Sequence, residues 1–170
     1  MSEIINRVAA SSVRTIDLEE YYLRGDRVGF DLKDYLFQEL VLKEKDYRQS
    51  LKNNDWEAYR GKYVAVFCSA DAIVPTWAFM LAITFLQGIA EEVMVGNFEG
   101  LEQYLFQKSL SSIRPEDYKG QAVVIKGCSK VPVPLFAYGE IIKLLKGSAR
   151  SLMFGEPCST VPLYKKPRLS

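Results

Sequence analysis

KYVAVFCSADAIVPTWAFMLAITFLQGIAEEVMVG, residues 62–96, decides the fold. It opens on KYVAVF (62–67), an apolar run rich in β-branched residues and of strand length. PTWAFMLAITFLQGIA (75–90) follows, long enough for a helix, and EVMVG (92–96) closes the stretch as a second strand. The same alternation continues toward the carboxyl end: a helical FEGLEQYLFQKSLSSI (98–113), a strand QAVVIKG (121–127), a helical PLFAYGEIIKLLKG (134–147) and a strand SLMFG (151–155). Strands alternating with helices of ten or more residues predict βαβ units and a parallel sheet with helices on its faces. The expected class is therefore α/β: one domain with a small, mostly parallel, doubly wound sheet.

The unit occurs twice. At an offset of 59 residues, Tyr59, Gly61, Val64, Pro75, Ala78, Gly88, Ala90, Met94 and Gly96 match Tyr118, Gly120, Val123, Pro134, Ala137, Gly147, Ala149, Met153 and Gly155. Each half reads YxG, strand, Cys-Ser loop, proline-started helix, strand. Proline suits a helix start because the N–H it lacks would be unpaired there anyway. The pseudo-repeats occupy 56–158, with 159–170 as a tail. Residues 1–55 read as a mixed α/β extension, with a short helix over 4–9, extended chain over 12–18 and 27–30, and helices over 31–40 and 44–52.

The three cysteines share one context: CSADAIVP from Cys68, CSKVP from Cys128 and CSTVP from Cys158. Each follows a strand. In the doubly wound order 2-1-3-4, the strands starting at 62, 121 and 151 would be neighbours, and the strand starting at 92 an edge. Cys68, Cys128 and Cys158 would then line one crevice at the carboxyl edge of the sheet, where helix amino termini favour thiolate and bound anions. Three thiolates make a soft-metal site, with Asp71, Glu156 or water as a fourth ligand and the neighbouring hydroxyls of Ser69, Ser129 and Ser159 as cofactor contacts. Zinc or an iron–sulfur cluster is the expected occupant. Each cysteine taken alone reads as a small core residue, and the repetition is what raises the site above that reading.

Composition restricts the alternatives. The 170 residues suit a single self-sufficient domain, and 22 Lys and Arg against 21 Asp and Glu give a net charge of +1 with basic residues scattered except for Lys165, Lys166 and Arg168. Nucleic-acid binding is not expected from that balance. No histidine is present, which removes Ser-His and Cys-His nucleophile pairs and imidazole ligation. The run WAFMLAITFL (77–86) is too short to span a bilayer and reads as a buried helix or a homodimer contact. An odd number of cysteines and no signal-like start predict reduced thiols and a cytoplasmic protein.

VLKEKDYR, DWEAYRGKYVAVFCSADAIVPTWAF, VIKGCSKVPVP and FGEPCSTVPLYKK together resemble the bacterial family known as domain of unknown function 2480, over nearly the whole chain. The resemblance implies no established activity. A frequent neighbourhood of such proteins with iron–sulfur assembly genes implies iron–sulfur assembly proteins as partners. The expected function is a metal or cluster carrier acting through Cys68, Cys128 and Cys158. A thiol-dependent enzyme on a small anionic substrate and a structural homodimeric module are the alternatives.

Overall fold

The structure is a computed structural model that describes residues 13–127, 130–156 and 158–167. It is α/β, but its strands form two sheets where one was expected. The first elements are strand β1 (Val13–Asp17), strand β2 (Arg27–Asp31), helix α1 (Glu44–Asn53), strand β3 (Tyr63–Phe67), helix α2 (Thr76–Leu86) and strand β4 (Glu92–Val95). Helix α3 (Phe98–Leu110), strand β5 (Ala122–Lys126), helix α4 (Leu135–Leu145) and strands β6 (Ser151–Glu156) and β7 (Ser159–Lys165) complete the chain. One sheet has the order β2-β3-β4 and is entirely parallel; the other has the order β1-β5-β6-β7, with β7 antiparallel to β6. Arg24–Tyr104 form one compact unit around the three-stranded sheet, and the described residues on either side of them form a second unit around the four-stranded sheet.

The single 2-1-3-4 sheet is therefore corrected. The strand starting at 62 pairs with β2 and β4, and the strands starting at 121 and 151 pair with each other in the other sheet. The strand at 92 is an edge, as expected, but of its own sheet. The stretch read as an extension supplies one strand to each sheet: β1 lies against β5, with Val13 opposite Ala122, and β2 lies against β3, with Arg27 opposite Tyr63. The tail from 159 returns as β7.

Central position explains the composition of β3 and β5. With a strand on each side and apolar cover on both faces, they read as continuous hydrophobic runs rather than alternating ones. Val64, Ala65 and Val66 in β3 and Val123, Val124 and Ile125 in β5 are buried. The helices that follow bury the same stripe at i, i+4 and i+8: Ala78, Ala82 and Leu86 in α2, Ala137, Ile141 and Leu145 in α4. The backbone repeats too. The amide of Gly61 donates to the carbonyl of Ile89 at 3.0 Å and that of Gly120 to Ser148 at 3.0 Å; the amide of Glu91 donates to Lys62 at 2.9 Å and that of Arg150 to Gln121 at 2.8 Å.

A second, shorter repeat lies in the amino-terminal stretch. IDLEEY (16–21) and FDLKDY (30–35), offset by 14 residues, each end a strand on an aspartate and enter one turn of 3₁₀ helix. The side chain of Asp17 accepts from the amide of Glu19 at 3.0 Å and that of Asp31 from the amide of Lys33 at 2.9 Å, and Leu18 and Leu32 are buried beneath the two turns. This local bonding replaces the helix expected over 31–40, because an aspartate that captures the amide two residues on competes with helical pairing. The chain then reverses through Gln38 and Glu39, both in the left-handed region, and Phe37 bridges to Val41. No helix among the described residues is long and apolar enough to cross a membrane.

Candidate functional site

In the three-stranded unit the carboxyl edge is tied together by Asp31. Its carboxylate accepts from the amide of Ser69 at 3.0 Å and from the Ser69 hydroxyl at 2.5 Å, in addition to the Lys33 amide. Burial raises the Asp31 pKa, but the hydrogen bonds from Ser69 and Lys33, together with the Lys33 charge, outweigh it and hold the carboxyl below its ordinary value. Ser69 thus fixes the start of the β3–α2 loop to the end of β2. Cys68, beside it, is half-buried against the aromatic core of this unit, and its thiol donates to the carbonyl of Ala70 at 3.7 Å. Asp71 lies exposed in the same loop.

The four-stranded unit repeats this edge with different bonds. Asp17, the counterpart of Asp31, is ion-paired with Lys126 at 3.4 Å, and the carboxylate of Glu19 accepts from the amide of Lys130 at 3.0 Å. The β5–α4 loop is thereby anchored to the turn after β1, as the β3–α2 loop is anchored to the end of β2. Cys128 and Ser129 lie outside the described residues. Cys158 is exposed in the turn between β6 and β7, flanked by Glu156 and Ser159, which pair with each other as the last rung of the hairpin. Glu156 and Ser159 are exposed as well.

The strand adjacency on which a three-thiol crevice rested is overturned for Cys68, whose strand belongs to the other sheet. It stands for the other two. β5 and β6 are neighbouring parallel strands whose last shared rung is Ile125 opposite Phe154. Cys128 follows Ile125 by three residues and Cys158 follows Phe154 by four, so the chain leaves both strands at the same edge with a thiol close behind. Among the described residues no three Cys, Asp or Glu side chains are grouped to hold a metal ion.

Beside this edge the four-stranded unit carries an apolar groove of about 490 Å³. Its wall comes from Leu135, Tyr138 and Ile142 of α4, Phe154 of β6, and Val161 and Leu163 of β7. Tyr138 closes onto the backbone of Gly127, where a Cβ would collide with its hydroxyl. The glycine ahead of Cys128 is thus required for that close approach. The sequence reading missed this groove, because it assigned no strand to the tail that forms one of its sides.

The family described as Protein of unknown function (DUF2480) matches residues 2–166 of the chain. No curated protein and no solved structure matches it.

Proposed function

The chain belongs to this family, and from that premise we propose that it is a cytoplasmic accessory protein that binds a soft metal ion or an iron–sulfur cluster through Cys128 and Cys158. Glu156 is the nearest carboxylate in sequence to the second thiol, and iron–sulfur assembly proteins are the proposed partners. One observation carries the reading: β5 and β6 run side by side and in parallel, so both thiols follow the same edge of one sheet. Neighbouring strands are ~4.8 Å apart, a spacing that two thiolates of one metal site can bridge when each sits ~2.3 Å from the metal. Without histidine, thiolate and carboxylate are the ligands available, and thiolate selects soft metals. Cys68 has a packing role in this reading, with its thiol turned to the Ala70 carbonyl.

The test is anaerobic purification and reconstitution, with iron, sulfide and zinc measured on the wild type, the Cys128→Ser/Cys158→Ser double variant and Cys68→Ser. Uptake by the wild type and Cys68→Ser, and its loss in the double variant, is the expected result. A wild type that takes up neither metal nor sulfide sinks the proposal, and equal loss in Cys68→Ser sinks its two-thiol form.

A further inference from the structure

The opposite, amino-terminal edge of the four-stranded sheet gathers positive charge that is dispersed in the sequence. β7 returns along β6 so that Lys165 lies opposite Ser151, and the amide of Lys166 donates to the carbonyl of Arg150 at 2.8 Å. Lys119 comes to the same edge just ahead of β5, where the Gly120 amide is bonded to Ser148. Two cavities open here. One, of about 440 Å³, is lined by Arg150, Lys165 and Lys166 and by the apolar side chains of Met153, Pro162 and Tyr164. The other, of about 400 Å³, is lined by Lys119, Arg150 and Lys166 together with the backbone at Gly120 and Gly147 and a single carboxylate, Glu116. Arg150 and Lys166 belong to both.

Lys119, Arg150, Lys165 and Lys166 have no ion pair among the described residues, as also holds for Arg14, Arg24, Lys45, Lys52, Lys62 and Arg114; what sets the four apart is that they line two cavities with Arg150 and Lys166 in common. The three-stranded unit shows what the bare framework carries at this edge. There Arg60, the counterpart of Lys119, is bonded to Glu57, and Glu91 stands at the position of Arg150. Unpaired like charges held together on backbone-bonded strands repel one another, and an anion that fits between them removes the repulsion.

We propose that this edge binds a nucleotide-like organic phosphate: a diphosphate between Arg150, Lys166 and Lys119, with its aromatic or apolar body on the Met153, Pro162 and Tyr164 wall. Arginine and lysine recognise phosphate through charge-assisted hydrogen bonds, and Gly120 and Gly147 present no side chain to the approaching anion. Lys146, 5.6 Å from the centre of the Tyr164 ring, adds a further positive charge beside the first cavity. Each cavity falls within the ~300–1,000 Å³ range of small-molecule sites, and Lys119, Arg150, Lys165 and Lys166 line them while the whole chain is nearly neutral. A long polyanion tracking an extended basic surface does not fit that distribution. The site is independent of the thiols, which follow the other ends of β5 and β6.

Titration calorimetry on the full chain with ADP and with inorganic pyrophosphate tests the assignment. ADP is expected to bind saturably with a Kd below about 1 mM and more tightly than pyrophosphate, and Arg150→Glu or Lys166→Glu is expected to weaken it at least about tenfold. Lys119→Gln is the milder variant should charge reversal prevent folding, and Lys45→Glu on α1 is the control that leaves binding unchanged. Absence of saturable ADP binding, equal loss in Lys45→Glu, pyrophosphate binding as tightly as ADP, or displacement of ADP by an RNA oligonucleotide at lower concentration than by pyrophosphate would each overturn it.

Discussion

In the three-stranded unit Phe30 stacks on Tyr35 and Trp56, at 5.2 and 5.5 Å between ring centres, and Trp56 stacks on Phe85 at 5.0 Å. The matching positions of the four-stranded unit hold Ile16, Tyr21, Pro115 and Leu144. Around these different fillings the framework is the same. Leu51 and Leu110, Val64 and Val123, Leu86 and Leu145 are buried at equivalent places, and Tyr47 and Phe106 are a matched pair. The duplicated features are those that fix the backbone: glycines at turns, alanines where a helix approaches the sheet, aspartates that bond the turn after a strand. Core volume is filled in two ways, because a core tolerates changes of residue if volume and patterning are kept. The aliphatic unit has a further strand, β7, and that strand gives it both the apolar groove and the basic edge.

The largest expected effect is from Phe30→Ala, which empties the centre of the aromatic stack and is expected to cost about 3–5 kcal/mol. Both tryptophans, Trp56 and Trp77, lie in this unit, so tryptophan fluorescence during urea unfolding reports on it alone. Ile16→Ala, at the equivalent place, is expected to move the far-UV circular dichroism transition while shifting the tryptophan transition less. Equal shifts of the tryptophan transition by the two variants would mean that the units unfold as one cooperative body, and the comparison between them would lose its energetic meaning.

That division is also where sequence reading stopped. KYVAVF and QAVVIKG are legible as strands because a strand buried on both faces must be apolar throughout, and the 59-residue repeat is legible through its glycines and prolines. What the repeat does not encode is which third strand each βαβ unit takes. Those strands, VRTID and RVGFD, are sheet edges with one buried residue each, so their pattern is weak. The IDLEEY and FDLKDY pair was the available signal: two copies of one strand-and-turn element imply two sheets for them to complete. Handedness rules order strands within a sheet and say nothing of strands in another. The neighbourhood of the strands carrying Cys128 and Cys158 was therefore readable, while the place of Cys68 was not. The basic edge was unreadable for another reason, since Lys119, Arg150 and Lys166 are far apart until β7 folds back.

The hairpin that distinguishes the two units turns on Gly155, whose counterpart is Gly96. Both have positive φ, +124° and +149°, which an L side chain rarely adopts. Their surroundings differ. A Cβ on Gly155 would lie 2.6 Å from the carbonyl oxygen of Ser159, a backbone atom of the partner strand, whereas one on Gly96 would lie 3.0 Å from the flexible end of Met94. Gly155→Ala is expected to cost about 1–3 kcal/mol in urea denaturation and to speed hydrogen exchange along β7. Gly96→Ala is expected to cost less, since only the backbone strain is common to both. A larger loss for Gly96→Ala would show that the collision with Ser159 is relieved without disturbing the hairpin.

The smallest effect separates the two carboxyl edges by pH. Asp31 holds the Cys68 loop through Ser69, and its carboxyl is kept below the ordinary value by the hydrogen bonds from Ser69 and Lys33, which outweigh its burial. A carboxyl whose folded pKa is lowered binds fewer protons in the folded than in the unfolded chain. Its contribution to stability is therefore complete above the unfolded value, about 3.9, and is lost as pH falls through the folded one. Wild-type unfolding followed in urea from pH 5 downward is expected to show this loss beginning near pH 4, and Asp31→Asn is expected to flatten that part of the profile by lowering stability at neutral pH toward the wild type's acid value. Ser69→Ala removes the hydroxyl donor and is expected to flatten it partly. If both variants keep the full wild-type slope, the acid sensitivity of the three-stranded unit lies elsewhere, and the Asp31–Ser69 bond is a contact without a proton linkage.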